Sequence, residues 1–250
     1  MIERSTRGPV EVLRLAHGKA SALDVELLRA LSQALDEASA ARALVLTGTG
    51  HIFSAGLDLF RLLDGGEAYM RELLPTLSAT LAKLFFYPRP VVAAINGHAV
   101  AGGCVLACAC DHRTMARGPG RIGVTELLVG LPFPAAALEV MRFAVSPERF
   151  QEIIYEGRTY APEDARLCRL VDEVADEAEV MERACQVAET LAAIPAPSFA
   201  LSKRHIRQPV RDLLDAHEAS IDMEVMRVWT NPEARTAVRR YVERALGARA

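Results

Sequence analysis

The chain has 250 residues, with 29 Lys and Arg against 32 Asp and Glu, a formal net charge of −3 and 51% hydrophobic residues. A chain of this length buries roughly 70–75% of the surface its unfolded form exposes, so it needs no disulfide staples. Near-neutral charge with no long basic run excludes the electrostatic footprint of a nucleic-acid binder.

In chain order, short runs rich in Val, Leu or Ile predict strands at Val10–Ala16, Ala43–Thr47, Val91–Ile95 and His112–Ala116. Between the first two, Leu23–Ala38 places Leu23, Leu27, Leu28, Leu31 and Leu35 on one face of a helix and Asp24, Arg29, Asp36 and Glu37 on the other. Such alternation predicts an α/β domain. Farther on, the helical period dominates: helices are expected at about Asp176–Ile194, Ser198–Ile206, Val210–Val228 and Pro232–Leu246, with Pro195, Pro197, Pro209 and Pro232 at their starts or stops. The break at AIPAPSF divides the chain into an α/β core, 1–195, and a C-terminal helical region, 196–250. That region docks on the core or on a neighbouring subunit.

Five cysteines at irregular spacing (Cys104, Cys108, Cys110, Cys168 and Cys185) and a charged N-terminal stretch predict a reducing, cytoplasmic setting. From Val91 to Cys110, twenty residues carry no formal charge, which by length would span a bilayer. Asn96-Gly97-His98 and Gly102-Gly103 interrupt the run, so it reads as a buried strand, a turn and a buried helix, and no membrane partner is expected.

Three segments are candidates for chemistry. Leu46–Phe60, LTGTGHIFSAGLDLF, predicts a strand, a Gly-rich turn and a short helix. Its small Ala55 and Gly56 allow backbone amides to approach a ligand, although a turn that merely needs glycine looks the same. Ile95–Asp111 repeats the design with Gly102-Gly103 opening an apolar helix. Two such turns suggest converging N–H donors of the kind a developing oxyanion requires. In the third segment, Gly120–Pro134, Glu126 stands among Val124, Leu127 and Leu128. Desolvation there raises a carboxyl pKa and suits it to act as a general base, unless the side chain is simply on the polar side of a turn.

Three cysteines within seven residues lack a second CxxC or a His pair, so no metal site is expected and buried thiols are the plainer reading. His51, His98 and His112 are expected to satisfy local hydrogen bonds, and Trp229 and Phe199 to pack the tail. From residue 200 onward ten Lys and Arg face seven Asp and Glu, and Lys203, Arg204 and Arg207 are read either as facing a phosphate or as a solvated helix face.

SAGLD and NGHAVAGGC, in this order and separation, resemble the crotonase superfamily of enoyl-CoA hydratases and isomerases. The resemblance extends from KASALD at Lys19 to RTYAPEDARLCRLVDEV at Arg158 and into the helical tail. It implies a spiral of ββα units with a C-terminal helical region, an acyl-CoA thioester as substrate, no separate cofactor, and a trimer or a dimer of trimers. It also implies that Leu57 and Gly102 supply oxyanion-hole N–H groups and that Lys19, Ala55 and Asp58 lie along the coenzyme A site. Hydratases of the family carry two glutamates; here the first position is Val105 and the second is Glu126. A lone glutamate with LPFP after it is similar to the Δ3,Δ2-enoyl-CoA isomerase branch, with Glu126 as the base. Hydration, another crotonase-type lyase or thioester hydrolase chemistry, and acyl-CoA binding without catalysis stand as alternatives.

Overall fold

The structure is a computed structural model and describes residues 1–246. Strands β1 (Ile2–Arg7) and β2 (Val10–Leu15) form a hairpin, followed by helix α1 (Val25–Glu37). Three ββα turns come next: β3 (Ala43–Thr47), β4 (Ile52–Ser54) and α2 (Leu59–Phe85); β5 (Val91–Ile95), β6 (His98–Val100) and α3 (Gly102–Ala109); β7 (His112–Ala116), β8 (Ile122–Gly123) and the single-turn α4 (Glu126–Val129). The first strand of each turn joins a six-stranded sheet, β1-β2-β3-β5-β7-β9, completed by β9 (Glu173–Ala175), and the second joins a three-stranded sheet, β4-β6-β8. Apart from the β1–β2 hairpin all pairings between these strands are parallel. The expected spiral of ββα units is thus present, since each turn advances both sheets by one strand.

Alternation along the strands explains the layers. Leu13, Leu15, Leu44, Leu46, Ala93 and Ile95 face the main core, whereas Val10, Val12, Ala43, Val45, Val92 and Ala94 face α8 (Val180–Ala192). Both faces are covered, which is why these strands read as continuous apolar runs. The four predicted strands are β2, β3, β5 and β7. Strands β1, with an exposed burial pattern, and β4, β6, β8 and β9, at two or three residues each, carry no period of their own.

Helices α5 (Ala135–Ala144), α6 (Pro147–Glu156) and α7 (Pro162–Leu167) connect β8 to β9. The tail is α9 (Ala196–Trp229) and α10 (Pro232–Leu246). Pro209 was expected at a helix boundary, but α9 runs through it as one helix of 34 residues. Pro209 is on the exposed side, where water can satisfy the carbonyl that loses its N–H partner, so the break is avoided. The short helix expected after Asp58 is instead the 27-residue α2, kinked at Gly66. Trp229 is 1% exposed and donates through Nε1 to Pro132 O at 3.0 Å, which ties α9 to the core. The uncharged run Val91–Cys110 comprises β5, β6 and α3, and no helix among the described residues is long and apolar enough to cross a membrane.

Candidate active site

The three predicted segments converge on a cavity of about 740 Å³. Its lining includes Leu57, Ala101, Thr125 and Glu126, together with Lys19, Ala55 and Asp58. All the expected site residues except Gly102 line it directly, and Gly102 follows Ala101 at the N-terminus of α3.

The two turns meet through glycine. Gly56 has φ +82°, and a Cβ there would lie 2.7 Å from Ala101 Cβ and 2.9 Å from Val100 O, so a side chain would drive the turns apart. A Cβ on Gly102 would lie 3.9 Å from Leu57 N, which shows how near the two backbones run. Leu23 pairs with this loop, donating its N–H to Gly56 O at 2.7 Å and accepting from Asp58 N–H at 3.0 Å. These bonds skip Leu57. Among the described residues neither the Leu57 nor the Gly102 N–H finds a protein acceptor. Between them Ala101 adopts φ 51°, ψ −128°, a conformation that costs a non-glycine residue about 1–3 kcal/mol and is concentrated at functional sites.

Glu126 opens α4. As a residue it is partly buried, but its Oε2 is sealed from water and has no hydrogen-bond partner. Burial pushes its carboxyl up to about 7, against smaller downward pulls from the backbone N–H groups of Glu126 itself and Thr125. The helix stops after one turn because Gly130 takes the left-handed region, φ 83°, while Leu131 N–H returns to Glu126 O at 3.0 Å.

Asp58, the cavity's other carboxylate, caps α2 by accepting from Arg61 N–H at 3.0 Å. Lys19 and Ala55 are exposed at the rim. Val105 is 1% exposed within α3 and does not line the cavity. Cys104, Cys108 and Cys110 are buried thiols of the same segment; among the described residues no group of three or more His, Cys, Asp or Glu could hold a metal ion.

His98 lines the cavity, and so does His17, whose Nε2 lies 2.7 Å from the buried Asp24 Oδ2. Lys203 and Arg207 neither face a phosphate in this cavity nor lie on a solvated helix face. They turn inward to Asp111 at 2.7 and 2.9 Å, and Arg207 also donates to Phe85 O. Arg204 is exposed and away from the cavity. A further lining residue, Tyr241 of α10, had no signal in the sequence, because its helical face is legible only as packing.

A doubly layered ββα spiral, with a cavity lined by a carboxylate whose Oε2 is buried and unpartnered and by two turns that leave the Leu57 and Gly102 N–H groups without protein acceptors, is a fold and site of the crotonase type. The enoyl-CoA hydratase/isomerase family model matches residues 7–246, and the chain belongs to this family. It is 37% identical over 190 residues to a Thermus thermophilus protein provisionally named an enoyl-CoA hydratase, spanning 72% of this chain and 73% of that one. It is 31% identical over 224 residues to the mouse mitochondrial enoyl-CoA delta isomerase 1, spanning 86% and 78%. The crystal structure of human mitochondrial delta3-delta2-enoyl-CoA isomerase superposes with a TM-score of 0.94 over 100% of this chain and 99% of that one; at 23% identity this shows the shared fold.

Proposed function

We propose that this enzyme shifts the double bond of a 3-enoyl-CoA to the 2-position, with Glu126 as its single proton carrier. The observation that carries this reading is the unpartnered, buried Oε2 of Glu126 in a cavity whose other carboxylate is engaged as a helix cap. Hydration of a 2-enoyl-CoA asks for water to be positioned and deprotonated while the adjacent carbon is protonated, work that two carboxylates share. Val105 stands where the second would be and cannot hold water.

Isomerisation needs one carboxylate. Glu126 takes a proton from C2, and the C2 electron pair is delocalised over C3=C4 and the thioester carbonyl as a dienolate. The Leu57 and Gly102 N–H groups receive the oxygen charge, with Gly102 at the positive end of α3. Glu126 then delivers its proton to C4, the double bond settles between C2 and C3, and the carboxylate is regenerated. A carboxyl near 7 suits both halves, because it is basic enough to take the proton and acidic enough to give it back.

We assign Lys19 and Ala55 at the rim to the coenzyme A moiety and Asp58 to shaping that turn through its cap, a reading supported by their position on the cavity lining. Coenzyme A enters as part of the substrate, and the reaction as written uses no separate cofactor. Exposed Leu201, Ile206, Met223 and Val228 of α9 support association with further copies, for which we propose a trimer or dimer of trimers.

The test is turnover of purified protein with 3-enoyl-CoA and with 2-enoyl-CoA. Conversion of the first without hydration of the second is expected. Hydration of the second would make the enzyme a hydratase, and tight binding without turnover would make it a binding protein.

A further inference from the structure

Helix α10 is remote in sequence from every segment that carries chemistry, yet it contributes Tyr241 to the cavity lining. It packs on α2 and on α4, the two helices whose first residues, Leu59 and Glu126, line the site. The close seat on α4 depends on Gly130. A Cβ built there would lie 2.9 Å from Ala237 Cβ, so the helix rests on backbone that only glycine leaves open. On the α2 side Arg235 reaches Leu63 O at 3.5 Å. Ala234, Val238 and Val242 are buried in this contact, at 6%, 0% and 7% exposure.

Tyr241 lies one turn beyond Ala237 on the same helical face, and its side chain is left lining the cavity. Val129 and Leu131, which flank Gly130, line the cavity beside it. The corner they form is apolar and belongs to the Glu126 helix. Lys19, Ala55 and Asp58, by contrast, come from the loop before α1 and the turn before α2. An acyl chain whose C2 lies at Glu126 and whose thioester points toward Lys19 therefore has its tail directed into the corner under α10.

We propose that Tyr241 is the specificity-determining residue that ends the acyl pocket, setting the longest chain the enzyme takes. This inference rests on the acyl-thioester reading of the cavity but not on the isomerase chemistry. A pocket gains about fourfold in affinity per methylene it buries, and that gain stops where the chain meets a wall.

The experiment measures calorimetric affinities of saturated acyl-CoA esters of increasing length for the wild type, Tyr241→Ala and Tyr241→Phe. In parallel it measures kcat/KM for 3-enoyl-CoA esters of the same lengths. The wild type and Tyr241→Phe are expected to plateau at the same chain length. In Tyr241→Ala the plateau should move to longer chains, with a gain of at least tenfold for the first lengths beyond the wild-type limit and little change for short ones. An unchanged length profile in Tyr241→Ala, or a uniform loss at every length, overturns the proposal, since either would mean that Tyr241 only packs α10. The saturated esters undergo no reaction, so a shifted binding profile upholds the wall even where isomerisation fails, and the two readings fall separately.

Discussion

Of the places where this molecule buries charge, two do so in opposite ways. Between α3 and β7, Asp111 shares its carboxylate with Lys203 and Arg207 of α9 at 2.7 and 2.9 Å, and Lys203 also donates to Arg89 O at 3.2 Å. Burial draws Lys203 down to about 8, with Asp111 only partly offsetting it. In the cavity, Glu126 has neither a cation nor a donor on Oε2, and burial moves its carboxyl up to about 7. The first arrangement fastens a long helix to the core. The second keeps a carboxylate reactive, because a cation beside Glu126 would lower its basicity and lose the proton-carrying function.

Removing the lone acid should have the largest effect. Glu126→Gln is expected to lower kcat for 3-enoyl-CoA by about 10²–10⁴-fold, with acyl-CoA binding retained. In the wild type, kcat/KM should rise with pH through about 7 and level off above it, because the base acts when ionised. Near-wild-type turnover by Glu126→Gln, or a profile flat across pH 6–8, would remove Glu126 from the mechanism.

Breaking the paired cluster should act on stability. Asp111→Ala leaves two buried cations without their carboxylate and is expected to destabilise the fold by about 3–5 kcal/mol in urea unfolding at pH 7. A loss below about 1 kcal/mol would show that the cluster contributes little.

The same comparison predicts that the catalytic substitution stabilises. Glu126 has its ordinary value, 4.5, in the unfolded chain and about 7 in the folded one. Below pH 4.5 it is neutral in both states and costs nothing. As pH rises the unfolded chain ionises first, and above about 7 the folded state carries a buried charge worth about 3 kcal/mol, at roughly 1.4 kcal/mol per pH unit. Glu126→Gln should therefore be more stable than the wild type at pH 8, with the two converging near pH 4. A constant difference across that range would mean that the carboxyl is not desolvated.

The smallest effect concerns Asp58, a carboxylate of the same cavity with a structural partner. Asp58→Ala removes the α2 cap and should cost about 1 kcal/mol in thermal or urea unfolding. A cost near zero would show that water caps the helix equally well.

Most of the site was legible before the structure. The two turns announce themselves through Ala55-Gly56 and Gly102-Gly103, and Glu126 stands out as a charge in an apolar stretch, whereas the choice of Leu57 and Gly102 as the N–H donors is what the family resemblance implies. The inward turn of Lys203 and Arg207 was not legible, because the helical period of α9 does not reveal that Asp111, 92 residues from Lys203, lies beneath that face. Pro209 misled for a related reason: a proline breaks a helix when its orphaned carbonyl is buried, and exposure is a property of the fold. Strands β4, β6 and β8 escaped notice at two or three residues each, although they carry the backbone into each active-site turn.

By itself, then, the sequence determined what local chemistry dictates: the alternation of strand and helix, two turns able to present N–H groups, and a carboxylate in an apolar stretch; that Val105 stands where a second acid would be is what the family resemblance implies. The tertiary structure decided everything that depends on which surfaces meet. It left Glu126 Oε2 without a partner, engaged Asp58 as a cap, gave Lys203 and Arg207 to Asp111, and brought Tyr241 over the site. These outcomes depend on burial and on contacts between distant residues, and neither is encoded in the spacing of neighbours along the chain.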